Sequence, residues 1–161
     1  MSNLKKLNEL AFETMKKKHP TIREELLPRP KYKDKKANDL TKAVIAWVKL
    51  NGFQAERINT TGRPIDKRIT YKDSVGYTRQ IGTMEWIPST ATKGSADISA
   101  TIRGRSVKIE VKVGRDRQSD AQVEYQRQVE KAGGIYMIVT CFDDFYNWWN
   151  SFVSIVEGEV G

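Results

Sequence analysis

The residue types that build redox and metal centres are nearly missing from this chain, which has one cysteine, Cys141, and one histidine, His19. A single cysteine cannot close an intramolecular disulfide. Cys141 also sits in an apolar run, where it reads as a small core residue rather than a reactive thiol. One histidine excludes a His-rich metal centre. No apolar stretch approaches the ~20 residues that a membrane-spanning helix needs. The lysine-bearing N-terminus lacks an apolar signal core, which fits a cytoplasmic protein. Internal repeats and low-complexity tracts are absent as well.

What is present describes a folded, basic domain. The 161 residues include four Trp, six Tyr and five Phe, too many aromatics for a disordered chain, and the length suffices for one domain with its own core. The net charge of +8 comes from 28 Lys and Arg against 20 Asp and Glu. Residues 1–37 carry 11 basic and 5 acidic groups and residues 57–93 carry 7 and 3, whereas residues 94–161 carry 8 and 10. Basic flanks around an acidic centre suit an enzyme of phosphodiesters, because cations attract the polyanion while carboxylates can hold a metal. A solvated basic surface accounts for the charge equally well.

The chemistry is concentrated in residues 93–112, KGSADISATIRGRSVKIEVK. Ile98, Ala100 and Ile102 alternate with Asp97, Ser99, Thr101 and Arg103; Val107, Ile109, Val111 and Val113 alternate with Ser106, Lys108, Glu110 and Lys112. Period-two patterns of this kind predict two half-buried strands. Taking Gly104-Arg105 as a two-residue type II′ loop predicts Arg103 opposite Ser106, Ser99 opposite Glu110 and Asp97 opposite Lys112. Asp97, Glu110 and Lys112 then share the polar face, with the two carboxylates as diagonal neighbours roughly 7–8 Å apart at Cα, close enough to meet on one divalent cation.

Along the rest of the chain, residues 4–18 read as an amphipathic helix that ends before His19-Pro20. Pro28, Pro30 and the lysines of 31–36 read as a loop, or as an arm that touches nucleic acid or a partner. Asn38 is placed to cap a helix with the stripe Leu40, Val44, Trp47 and Val48, which Asn51-Gly52 stops. Residues 53–58 read as a strand. Residues 59–93 form a long basic connection with a short hairpin around 77–87, and such connections are commonly functional. Its cations and its residues Tyr71, Tyr77 and Trp86 suit a nucleic-acid contact, although Trp86 itself is expected to pack beneath the loop. Ser119 and Gln122 match a capping box opening a helix with the stripe Ala121, Tyr125, Val129 and Ala132. Residues 135–140 read as a fully buried strand. Asp143 or Asp144 then caps a last helix, which frays after Val156.

Asp97 followed by Glu110-Val111-Lys112 on the next strand resembles the PD-(D/E)xK nuclease superfamily. Ser119-Asp120-Ala121-Gln122, the pair Gly133-Gly134, the apolar strand that follows, and the helix and strand of residues 38–59 look like its VRR-NUC branch. The resemblance implies an α/β fold, a restriction-endonuclease-like αβββαβ core with a mixed β-sheet flanked by helices. Residues 38–156 would form that domain, preceded by a helix and basic arm (1–37) and followed by a frayed end (157–161). It further implies a Mg²⁺-dependent DNA endonuclease, with Mn²⁺ substituting, acting on branched or flapped DNA as a homodimer; for a phage-type stand-alone member the location is the host cytoplasm. The alternative is a non-cleaving nucleic-acid-binding module on the same fold. In these roles Asp97, Glu110 and the Val111 carbonyl bind metal, and Lys112 serves the water and the transition state. Gln122 lies beside the lysine, caps its helix, or does both. Arg57, Asn59, Arg63, Lys67, Arg68 and Arg115 contact nucleic acid. The chain departs from the family in two places: Asn38 and Asp39 stand where many members have a first-helix glutamate, and Ala96 replaces the proline of PD.

Overall fold

The computed structural model describes residues 2–159. In chain order these form α1 (Asn3–Lys18), a 3-10 turn (Glu24–Leu26), α2 (Ala37–Leu50), β1 (Gln54–Arg57), β2 (Arg63–Asp66), β3 (Ile69–Lys72), β4 (Thr78–Ile81), β5 (Met84–Ile87), β6 (Ile98–Ile102), β7 (Arg105–Val111), α3 (Asp120–Lys131), β8 (Ile135–Val139) and α4 (Phe142–Glu159). The expected mixed α/β class is present, with four α-helices and a mixed sheet among the described residues. Two compact units divide the chain. One holds everything up to Ile58 and from Lys93 onward; the other is Asn59–Thr92.

The larger unit is built on a four-stranded sheet of order β1-β6-β7-β8. β6 pairs antiparallel with both β1 and β7, whereas β7 pairs parallel with β8. A parallel pair needs a crossover, and α3 supplies it. The apolar sides of β6 and β7 (Ile98, Ala100, Ile102, Val107, Ile109, Val111) join one core with Leu40, Val44 and Val48 of α2 and Phe142, Phe145 and Trp149 of α4. Each fully buried side chain of this size contributes about 1.5–3 kcal/mol. Side chains on a strand alternate, so Glu110 and Lys112 leave β7 on the other side. There α3 covers the sheet thinly: none of its residues is buried, and Tyr125 meets Tyr136 edge to face at 6.3 Å between centroids.

Leu7 of α1 is fully buried in the same core, so the N-terminal helix belongs to the larger unit. Several expectations need correction. The hairpin loop is Arg103-Gly104, not Gly104-Arg105. Both residues have positive φ, 49° and 76°, as a type I′ turn requires, and Ile102 pairs with Arg105. Ser99 therefore faces Lys108 rather than Glu110. Asn38 is not the cap: α2 starts at Ala37 with Lys36 at its N-cap, two residues ahead of the expected cap, and the Asn38 carboxamide instead accepts from Arg57. Strand β8 is not fully buried. It lies at the sheet edge, and Ile138 is 41 % exposed. Helix α4 opens at Phe142, ahead of Asp143 and Asp144, and continues to Glu159, past the expected fraying point; residues 160 and 161 lie outside the described residues. Asp144, inside the first turn, takes the Thr140 N–H at 3.3 Å and the Thr140 hydroxyl.

The smaller unit is more regular than its glycines suggest. β2 pairs with β5 and β3 with β4, two nested antiparallel ladders. The Asp73 carboxylate ties the tip, accepting N–H groups of Val75 and Tyr77 at 3.0 Å and the Arg79 guanidinium at 2.6 Å. No residue of the unit is buried. Trp86, expected under the loop, is 61 % exposed.

Candidate active site

Glu110 is the centre of the site. It is only 2 % exposed, although it lies on the polar side of a strand. One carboxylate oxygen, Oε1, accepts from Lys112 Nζ at 3.1 Å and from the Gln122 side-chain amide. The other, Oε2, is buried without a hydrogen-bond partner. A buried carboxylate oxygen left unpaired is costly and is uncommon in folded proteins. Burial pushes the Glu110 carboxyl above its ordinary range; the Lys112 hydrogen bond opposes this, and the Asp97 and Asp116 charges add to the rise.

Asp97 stands just ahead of β6 and is fixed through its main chain and its side chain. Its carbonyl accepts the Ile58 N–H at 2.8 Å, and its Oδ2 accepts the Val111 N–H at 3.0 Å. Its carboxylate is thus held against the strand that carries Glu110. Lys112 is also buried, and its ammonium reaches Glu110, Asp116 (3.3 Å) and Gln122 Oε1 (3.1 Å). Burial lowers the lysine's pKa, but Glu110 and then Asp116 more than offset this and hold it above its usual value.

Gln122 combines the two roles read for it. Its Oε1 accepts the Ser119 N–H at 2.9 Å while the Ser119 side chain accepts the Gln122 N–H, a complete capping box. The same carboxamide bonds Lys112 and Glu110. Capping therefore locks the side-chain rotamer that serves the site. Gly94 sets the approach of this helix end. A Cβ there would lie 2.2 Å from the Ala121 carbonyl oxygen, and φ is +82°, so only glycine lets the loop ahead of Asp97 pass this close.

Asp97, Glu110, Lys112 and Gln122 are thus brought together, with Val111, the last residue of β7, between Glu110 and Lys112. Two members escaped the sequence pattern. Asp116 pairs with Lys112 from the charged turn after β7, and its i+4 spacing was the only signal. Tyr136 belongs to an apolar run and gave none; its hydroxyl is pushed up to about 12, first by burial and then by the Glu110 and Asp97 charges.

The six expected nucleic-acid contacts behave differently from one another. Arg57 bonds Asn38 Oδ1 at 2.5 Å, and Arg115 is exposed in the turn before α3. Asn59, Arg63, Lys67 and Arg68 belong to the smaller unit. There the Asn59 carboxamide closes a local turn with Thr61, Lys67 pairs with Glu85, and Arg68 grips Asp66 through two bonds of 2.8 and 2.7 Å.

The donor set fits a hard divalent cation. Among the described residues no three His, Cys, Asp or Glu side chains form a ready cage, but Mg²⁺ uses one or two carboxylates and fills its octahedron with water and substrate oxygen. The orphaned Glu110 Oε2 beside the Asp97 charge offers that minimal set. No model of a known protein family matches this chain, and none of the curated proteins matches it in sequence.

Proposed function

We propose that the chain is a metal-dependent DNA endonuclease of the PD-(D/E)xK type, similar to the VRR-NUC branch, that hydrolyses phosphodiester bonds in branched or flapped DNA. The observation carrying this reading is the buried Glu110 carboxylate, bonded on one oxygen to Lys112 and Gln122 and orphaned on the other. The succession α2, β1, β6, β7, α3, β8 supports it, being the αβββαβ order that a restriction-endonuclease-like core requires.

Asp97, Glu110 and the Val111 carbonyl would hold Mg²⁺. Such an ion lowers the pKa of a bound water and offsets charge growing on the phosphate. The Lys112 ammonium donates to the attacking water or to a non-bridging oxygen as negative charge accumulates there. Gln122 and Asp116 keep the lysine from folding away onto the solvent side, and Gln122 orients Glu110.

The test is incubation of labelled linear, flapped and four-way DNA with Mg²⁺, Mn²⁺ or chelator. Wild-type protein should cut with metal and not with chelator. Asp97→Ala and Glu110→Ala should lose cleavage by orders of magnitude while still binding DNA, since several kcal/mol of stabilisation disappear. Cleavage by either variant at about a tenth of the wild-type rate or better would overturn the assignment. DNA binding without cleavage under every metal would favour a non-cleaving module.

A further inference from the structure

We propose that the cleft between α1, the arm of residues 28–33 and α2 binds single-stranded nucleic acid, its cations holding phosphates and its apolar side chains meeting base faces. The cleft has a volume of about 690 Å³, within the range of built ligand sites. Five cations line it, Lys18, Arg29, Lys31, Lys33 and Lys42, against the single carboxylate of Asp39. None of Asp97, Glu110, Lys112 and Gln122 does, so the proposal stands apart from the chemistry assigned to them.

Of the five cations, the neighbouring acids reach only Arg29. Glu13 and Glu24 pair with Lys16 at 2.8 and 3.4 Å, and Glu24 also reaches Arg29 at 3.6 Å. Among the described residues no carboxylate pairs with Lys18, Lys31, Lys33 or Lys42. Like charges collected in a concave surface repel one another and concentrate a positive potential. Lys31, Lys33 and Lys42 have no carboxylate partner to offset that repulsion, so an anionic ligand is a physical reason to gather them.

The arm that carries three of these cations is a fixed wall. Leu27 ahead of it is buried. The Arg29 guanidinium stacks over Phe12 at 4.2 Å, the Tyr32 N–H donates to Asn8 Oδ1 at 2.8 Å, and the Phe142 N–H donates to Asp34 Oδ2 at 3.1 Å. Anchors on both sides of Lys31 and Lys33 remove most of the ordering cost that a free lysine-rich arm would incur on binding.

The apolar side chains decide the kind of anion. Met15, Pro28, Pro30, Tyr32 and Leu50 line the cleft together with its cations. Phosphate alone has no use for apolar groups. A duplex hides its base faces in its own stack, whereas a single strand offers phosphates to the lysines and bases to an apolar or aromatic surface.

The experiment is anisotropy titration of a labelled single-stranded oligodeoxynucleotide, in chelator and over a range of salt. Wild-type protein is compared with Lys31→Glu/Lys33→Glu, with Lys18→Glu/Lys42→Glu, and with the charge-matched control Lys49→Glu/Lys131→Glu, whose residues lie outside the cleft. Each cleft pair should weaken binding by about tenfold or more and lower the log–log salt slope by roughly 0.7 per lost phosphate contact. The control should keep the wild-type slope. Equal losses in cleft and control variants, or an unchanged slope in the cleft pairs, would overturn the proposal. If a reversal variant fails to fold, the neutral pair Lys31→Gln/Lys33→Gln must show the same lowered slope. Competition by unlabelled duplex or by a mononucleotide as effective as the single strand would also overturn it.

Discussion

The two units handle charge and apolar surface in opposite ways. In the larger one the apolar side chains are inside, and a carboxylate and an ammonium are buried with them. In the smaller one Ile69, Tyr77, Ile81 and Trp86 are exposed, while the acids Asp66, Asp73 and Glu85 each take a local cation, Arg68, Arg79 and Lys67 respectively. Exposed pairs of this kind contribute little, ~0–1 kcal/mol each, and they leave none of the unit's three carboxylates without a cation. The buried set leaves Glu110 Oε2 unsatisfied at a cost to stability. An unsatisfied buried charge points to function, and a satisfied surface charge does not.

The largest effect that would break this contrast belongs to Lys112. Lys112→Met keeps most of the buried stem and removes the ammonium. Single-turnover cleavage in Mg²⁺ should slow by about a hundredfold, the scale of one lost electrostatic stabiliser, with DNA affinity in Ca²⁺ near wild type. An unchanged rate would reduce Lys112 to a structural partner of Glu110; affinity falling in step with rate would make it a phosphate anchor.

Next comes the core against the ribbon. Leu7→Ala should cost about 2–5 kcal/mol in urea unfolding, since Leu7 is fully buried. Ile69→Ser and Trp86→Ser should each stay within about 0.5 kcal/mol. A larger ribbon cost would mean that its apolar residues are covered in solution.

The finest test concerns pH. Glu110 has a raised folded pKa, so its contribution to stability is complete below the unfolded value near 4.5 and is lost as pH rises through the folded value. The raised Lys112 pKa acts only at alkaline pH, above 10.5. Melting temperatures measured from acid to neutral pH should therefore shift in favour of Glu110→Gln relative to wild type. Mg²⁺ should raise the wild-type value more than the variant's. A difference independent of pH would mean that Glu110 is not strained by its burial.

What the sequence could reveal follows from the same physics. Period two tells which face a residue occupies, and it placed Asp97, Glu110 and Lys112 on one side of the hairpin. It cannot fix the register. Moving the loop from Gly104-Arg105 to Arg103-Gly104 shifts each partner by two residues and leaves every face unchanged. The capping box of Ser119 and Gln122 was legible because both of its members are local. Asp116 and Tyr136 were not, because one sits in a turn without periodicity and the other in a strand whose partner and edge position are set by the tertiary fold. The ladders of Asn59–Thr92 were hidden for a related reason: their strands have four residues each, too few for alternation to stand out among glycines and prolines.

The hydrogen bond from the Ile58 N–H to the Asp97 carbonyl closes the main chain at the two ends of that ribbon. Everything between them is, to the core, a loop. Loop-closure entropy grows only as the logarithm of length, so halving or doubling the excursion changes folding free energy by about 0.6 kcal/mol. The ribbon is therefore an exchangeable cassette. Its length, sequence and surface can drift between related chains almost without cost, while the turn that delivers Asp97 to Glu110 stays where it is.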